Sequence, residues 1–244
     1  MLAKTDIILD SGENELSYLM GSSFHGALMK MLDTDYVSKL HESQLHPYTQ
    51  HLELDTNGTW HWIITALNDE AAENIINYGV MQKDEIYLNK HKFKVNLSKK
   101  NYTELSDSEI DKYYNFDKAK RNIILQFVTP TAFKQKGKYV NYPDLRLFFL
   151  SLMKKFSSAR VEEMPKEETL NWLVKDIAIT DYSLSSTYFS LEGIKIPAFM
   201  GNISLKFEGP LLQANLGQML AHFSSYSGVG IKTAMGMGAV KIIK

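Results

Sequence analysis

The chain contains no cysteine. Disulfides and thiolate-ligated metal centres are excluded with it. No apolar run approaches the roughly 20 residues that span a bilayer, and no basic stretch followed by an apolar core stands at the start. A cytoplasmic, soluble protein is expected. Excess charge of one sign is also missing. The net charge is −1, which speaks against a general nucleic-acid binder held by bulk electrostatics. No short repeat or low-complexity segment occurs. No His, Asp and Glu grouping has the spacing of a metal-ligand set, so neither a metal nor another cofactor is expected. What is present is 244 residues, 44% hydrophobic and 23% charged. That is ordinary globular composition and enough for two domains of about 120 residues each.

The charge is unevenly placed. From Ala132 to Arg160, the basic residues Lys134, Lys136, Lys138, Arg146, Lys154, Lys155 and Arg160 are opposed by Asp144 alone. From Gly193 onward, Lys195, Lys206, Lys232, Lys241 and Lys244 are opposed only by Glu208. A local basic face suffices for phosphate recognition even where the overall charge is near zero.

Periodicity supplies the elements. Residues 5–10 read as a strand, and 16–32 as a helix with apolar residues at 16, 19, 20, 24, 27, 28, 31 and 32. Asp33-Thr34-Asp35 interrupts that helix and caps a second one through Leu40. Strands are predicted at 59–66, 82–88 and 92–97, with a helix at 69–78 capped by Asn68 or Asp69. Ser106 and Glu109 form a capping-box signature opening a helix to Phe116. The pattern then restarts: a strand at 122–128, helices at 143–156 and 168–175, strands at 178–191 and 196–208, a helix at 211–223 and a closing strand. Each half is read as β-α-β-β-α-β, so the fold class is α+β with two tandem ferredoxin-like domains. They are placed at 1–119 and 120–244, with the boundary near 117–121.

The most distinctive stretch is Gly228-Val-Gly230-Ile-Lys232-Thr-Ala-Met-Gly236-Met-Gly238. It lies between a helical and a strand pattern. Glycines let backbone approach a ligand, and successive loop N–H groups can form an anion-binding concavity. Lys232 places a mobile charge within it. A Walker A motif requires Gly-Lys-Thr in succession, and Ile231 separates Gly230 from Lys232. A dinucleotide fingerprint runs from strand to helix, the opposite order. A phosphate backbone crossing the loop fits better.

The loop pattern Gly-x-Gly-x-Lys-x-x-x-Gly-x-Gly, together with Phe24-His-Gly-Ala-Leu-Met29, Lys39-Leu-His41-Glu42 and the two ferredoxin-like halves, resembles a family of the repeat-associated mysterious protein superfamily. It is the CRISPR-associated endoribonuclease that processes precursor CRISPR RNA (CRISPR-associated protein six). The resemblance implies metal-independent cleavage within each repeat, leaving a 5′-hydroxyl and a 2′,3′-cyclic phosphate. It implies as partners the repeat RNA, in precursor and mature form, other CRISPR effector proteins and a second copy of the chain. No membrane is implied.

Such chemistry needs a base for the 2′-OH, an acid for the leaving 5′ oxygen and a cation for the extra charge at phosphorus. Histidine suits either proton role. By the resemblance the base stands at the end of the first helical region, where this chain has His41. His25 lies one helical segment earlier, beside Gly26, whose missing side chain lets RNA approach. Unbroken helix would set the two about 160° apart, so sharing a site requires a bend at 33–35. Lys30 is the candidate for transition-state charge. The family's helical tyrosine aligns with Met29 here, and Tyr48 is the substitute. His61, His91 and His222 are read as structural. The RNA-binding candidates are Gly228, Gly230, Lys232, Gly236, Gly238, Lys134, Lys136, Lys138 and Arg146. The three hairpin lysines are expected to alternate onto one side, with Tyr139 and Tyr142 available to stack on bases. A non-catalytic RNA-holding subunit of the same superfamily would share the fold and the loop; His25 and His41 favour the nuclease.

Overall fold

The computed structural model describes residues 1–43, 45–114, 120–160 and 166–243. The chain forms two compact units, residues 1–104 with 232–236 and residues 105–231 with 237–244. Of the boundary expected at 117–121, residues 117–119 lie outside the described residues.

The first unit opens with β1 (Leu2–Asp10), a 3-10 turn (Tyr18–Met20), α1 (Gly21–Met29) and α2 (Thr34–Glu42). Next come β2 (Tyr48–Leu54), β3 (Trp60–Ala66), and α3 (Asp69–Ala71), which widens into a π-helix (Ala72–Asn77). β4 (Glu85–Leu88) and β5 (Phe93–Leu105) complete the sheet. Its order is β2-β3-β1-β5-β4, the ferredoxin-like arrangement extended by β4 at one edge. Period-two alternation sends Ala3, Ile7 and Leu9 of β1, and Trp62, Ile64 and Ala66 of β3, into the core. Antiparallel pairing sets Ile7 opposite Trp62. Phe24 of α1 meets Trp62 edge-on at 5.1 Å. Burying one such ring contributes about 1.5–3 kcal/mol.

The expected break between the first helices is present. Asp33 caps α2, its carboxylate accepting from the backbone N–H of Asp35 and of Tyr36. β2 lies where the sequence gives no strand signal.

The second unit comprises α4 (Asp107–Tyr114), β6 (Asn122–Thr131), a hairpin of β7 (Phe133–Gln135) and β8 (Lys138–Val140), and α5 (Leu145–Arg160). α6 (Glu167–Val174), β9 (Ile177–Leu191), β10 (Ile194–Phe207), α7 (Leu211–Ser227) and β11 (Val240–Ile243) follow. The sheet order β11-β6-β10-β9 is again ferredoxin-like. Phe127 packs against Phe199 at 4.8 Å and Phe148 at 6.3 Å in the core. The capping box is closed in both directions: Ser106 N–H donates to Glu109 Oε2 at 2.9 Å, and Glu109 N–H to Ser106 Oγ at 3.3 Å. Phe116, the expected end of that helix, is outside the described residues. No helix among the described residues is long and apolar enough to cross a membrane.

Candidate active site

Because the chain turns at Lys30–Asp33, α1 and α2 present His25 and His41 to one region of the first unit. The turn into β2 adds His46 and Tyr48. The His25 and His46 rings are 6.4 Å apart, and the Tyr48 ring lies 6.3 Å from His25, stacked at 4°, and 5.7 Å from His46. Tyr48 is fully buried, and its hydroxyl bonds His25 Nδ1 at 2.8 Å. A buried hydroxyl hydrogen with no acceptor is costly, and Nδ1 is the acceptor at hand, so Tyr48 donates. His25 therefore carries its own hydrogen on Nε2, aimed away from Tyr48. Burial pushes the Tyr48 hydroxyl well above its ordinary pKa, helped by Tyr36, which keeps this donor protonated. The Tyr36 hydroxyl is itself buried without a partner.

The electrostatics of the imidazoles have one sign. Burial first, then the charges of His46, His41 and Lys232, together lower the His25 pKa to about 4. His46 is lowered by burial, then by His41 and Lys232. His41 is exposed at the end of α2. His46 Nδ1 is buried without a hydrogen-bond partner. Among the described residues no set of three or more His, Asp and Glu side chains is placed to hold a metal ion.

Lys232 reaches this region because residues 232–236 fold with the first unit. It is exposed, adopts a left-handed backbone at φ 57°, and precedes a 3-10 turn, Thr233–Met235. The turn seats against α1 where two glycines meet. A Cβ on Gly21 would strike the Met235 carbonyl, and one on Gly236 would lie 3.1 Å from Gly21 Cα. Lys30, at the C-cap of α1, is also exposed, but the ammonium that both imidazoles feel is that of Lys232.

The remainder of the glycine loop departs from expectation. Its N–H groups were to be open to an anion, yet several are spent internally. Gly228 N–H donates to Ser224 O at 2.9 Å, Gly230 N–H to Ser151 Oγ at 2.9 Å, and Gly238 N–H to Pro130 O at 3.0 Å. All four loop glycines take positive φ, so their role in the fold is backbone shape.

Two expectations about the basic residues of the second unit also change. Lys134, Lys136 and Lys138 do not share one side. A two-residue turn at Lys136-Gly137, both with positive φ, sets Lys134 opposite Tyr139 and Gln135 opposite Lys138. Neighbouring pairs face opposite ways, so Lys134 and Lys138 are on different faces, with Lys134 Nζ 5.7 Å from the Tyr139 ring centroid. Lys155 is not a surface charge. It is 6% exposed and donates to the carbonyls of Ser227 at 2.8 Å and Gly228 at 3.2 Å; burial lowers its pKa to about 7. Arg146 is half-buried and engaged, bonding Glu167 Oε1 at 2.5 Å and the Asn171 side chain. His61 and His91 have structural partners, Asp6 at 2.6 Å and Ser23 at 3.1 Å.

The family model for CRISPR-associated endoribonuclease Cas6 matches residues 125–240. A CRISPR-associated endoribonuclease Cas6 from Streptococcus thermophilus is 35% identical over 221 residues, 90% of this chain and 89% of the relative. The chain belongs to the Cas6 family. It is an RNA-cleaving enzyme. A Cas6 from Mycobacterium tuberculosis is 28% identical over 91% of this chain and 71% of its own length. Among solved structures, a product complex of Thermus thermophilus Cas6 has a TM-score of 0.79 at 21% identity, with each chain fully covered.

Two members of this candidate site are not tied to it by sequence: His46 is not among the expected site residues, and Lys232 is expected only as an RNA-binding residue of the loop. His46 stands beside Pro47-Tyr48 with no motif of its own. Lys232 is visible in the glycine loop, but nothing local ties it to α1 and α2. The recurrence of histidine at 25, 41 and 46 within one short region is the signal that marks the first.

Proposed function

We propose that this chain cleaves precursor CRISPR RNA within its repeats, without a metal, by attack of a ribose 2′-OH on the adjacent phosphorus. The observation that carries the reading is the gathering of the His25, His46 and Tyr48 rings within 6.4 Å of one another, with the Lys232 ammonium a positive neighbour of both imidazoles. Such a cluster is completed by an anion, and a phosphodiester brings one negative charge.

In this reading His41, the accessible imidazole, takes the 2′ proton as the O2′–P bond forms. The P–O5′ bond breaks, and the 5′ oxygen gains a proton from the remaining imidazoles, His25 or His46. Lys232 and the Nε2–H of His25 face the charge that builds on the phosphoryl oxygens. Neutral His25, its tautomer held by Tyr48, offers Nε2–H as a hydrogen-bond donor; whichever imidazole gives the 5′ oxygen its proton does so as the imidazolium and returns to neutral. Bound phosphate reverses the like-charge effect and moves His25 and His46 back up toward the ordinary histidine range. The ends produced are a 5′-hydroxyl and a 2′,3′-cyclic phosphate. Lys134, Lys136, Lys138, the exposed Tyr142 and, once released from Glu167, Arg146 hold flanking RNA. Gly228, Gly230 and Gly238 act through the loop shape that delivers Lys232 and Gly236.

The test is a repeat RNA incubated in excess EDTA, with end-group analysis. Full cleavage with cyclic phosphate ends is expected, and a 2′-deoxy substitution at the cut position blocks it. Loss of activity in chelator, or cutting of the 2′-deoxy RNA, would sink the mechanism.

A further expected result concerns Gly26. It is exposed inside α1, and a Cβ there would meet nothing within 4 Å. An interior helical glycine costs about 1 kcal/mol relative to alanine, so nothing in the fold calls for it. Gly26→Ala is expected to raise the melting temperature and to weaken repeat-RNA binding. A stabilised variant with unchanged affinity would show that RNA does not approach α1 there.

A further inference from the structure

Gln50, on β2, is 1% exposed, and its carboxamide joins three elements. Nε2 donates to Gly21 O at 2.8 Å and to Ala234 O at 3.0 Å, and Oε1 accepts from Trp62 Nε1 at 2.8 Å. Both amide hydrogens are thus used, and only one orientation of the group satisfies all three partners. Gly21 begins α1, the helix of His25. Ala234 sits two residues after Lys232, inside the 3-10 turn that Met235 N–H closes onto Lys232 O at 2.9 Å. One buried side chain therefore fastens the lysine's turn to the imidazole's helix.

Two features make that fastening consequential. Lys232 is a non-glycine residue in left-handed backbone, a conformation that persists only where surroundings impose it. The bare backbones of Gly21 and Gly236 meet beside the same bonds, and Ala234 is the one buried side chain of the turn, so little side-chain packing besides it holds the turn in place.

We propose that Gln50 is a positioning residue for Lys232, fixing the ammonium relative to His25 and His46 through the Gly21 and Ala234 carbonyls. The catalytic consequence rests on the role given above to Lys232; the structural consequence does not.

The experiment compares Gln50→Leu, Lys232→Met and the double variant by two readouts. In NMR titration of the free protein, Lys232→Met raises the His25 midpoint, because a positive neighbour is gone. Gln50→Leu raises it as far, and the double variant no further. In single-turnover cleavage at saturating enzyme, Lys232→Met is about 10²-fold slower; Gln50→Leu matches it with little change in affinity, and the double variant is no slower. Should Gln50→Leu fail to fold, Gln50→Met keeps the unbranched length, loses the amide hydrogens and adds no charge, and the same readings apply.

A folded Gln50 variant whose His25 titrates as in the unmodified protein, with Lys232→Met still producing its full shift on top, overturns the proposal. If Lys232→Met titrates as expected but cleaves normally, the catalytic role of Lys232 fails while the titration still decides what Gln50 positions.

Discussion

His41→Ala is expected to slow single-turnover cleavage of repeat RNA about 10³-fold while leaving RNA affinity within a few-fold. Removing a general base costs roughly 10²–10⁴ in rate. His41 is the imidazole whose removal tests this most cleanly. It is exposed on the last turn of α2, so its loss opens no cavity and orphans no buried partner. His25→Ala would leave the buried Tyr48 hydroxyl without its acceptor, a penalty of about 1–3 kcal/mol in stability that would confound the rate. His46 is half-buried among the same rings. The measurement is the rate at saturating enzyme, with affinity from the concentration dependence. An unchanged rate would remove His41 from the reaction and pass the base role to His25 or His46.

Lys232→Ala is expected to lower the same rate by about 10²–10³, the cost of losing one preorganised charge partner. Its second signature is the salt dependence of RNA binding. Each phosphate neutralised by a lysine contributes about 0.7 to the log–log slope for single-stranded RNA, so the slope should fall by roughly that amount. Its third is the His25 titration. Lys232 is one of the positive charges that hold His25 at about 4, and removing a positive neighbour favours the protonated imidazole, so the midpoint moves up. Lys30→Ala is the control that discriminates between the two lysines. The sequence points to Lys30 for transition-state charge, whereas the interactions of His25 and His46 point to Lys232. If Lys30→Ala produced the larger rate loss and the titration shift, the assignment would revert.

Much of the fold is legible because local signals agree with it. Asp33 is both the break in the helical stripe and the cap of α2. Ser106 and Glu109 are three apart and close a capping box. The second half follows its hydrophobic periods from β6 through α7. β2 is not legible for a physical reason: its inward row is Tyr48, Gln50 and Leu52, and the buried amide at its centre reads as a surface residue. The hairpin lysines mislead because alternation holds along a strand and not across a turn with two positive-φ residues. Lys155 had a signal that its charge obscured, since it lies on the face of α5 that carries Phe148 and Leu152 and is buried with them. The candidate site is half legible. His25 and His41 are close in sequence, and a helix break suffices to unite them. Lys232 is a long-range partner: the bond that seats its turn joins residues 184 apart, and no local pattern reports such a contact.

That return of residues 232–236 into the first unit bears on how the enzyme is made. A ribosome releases the three histidines of the site long before Lys232. Under the role proposed for Lys232, competence to cut waits until residues 232–236 have been made and have folded back against α1.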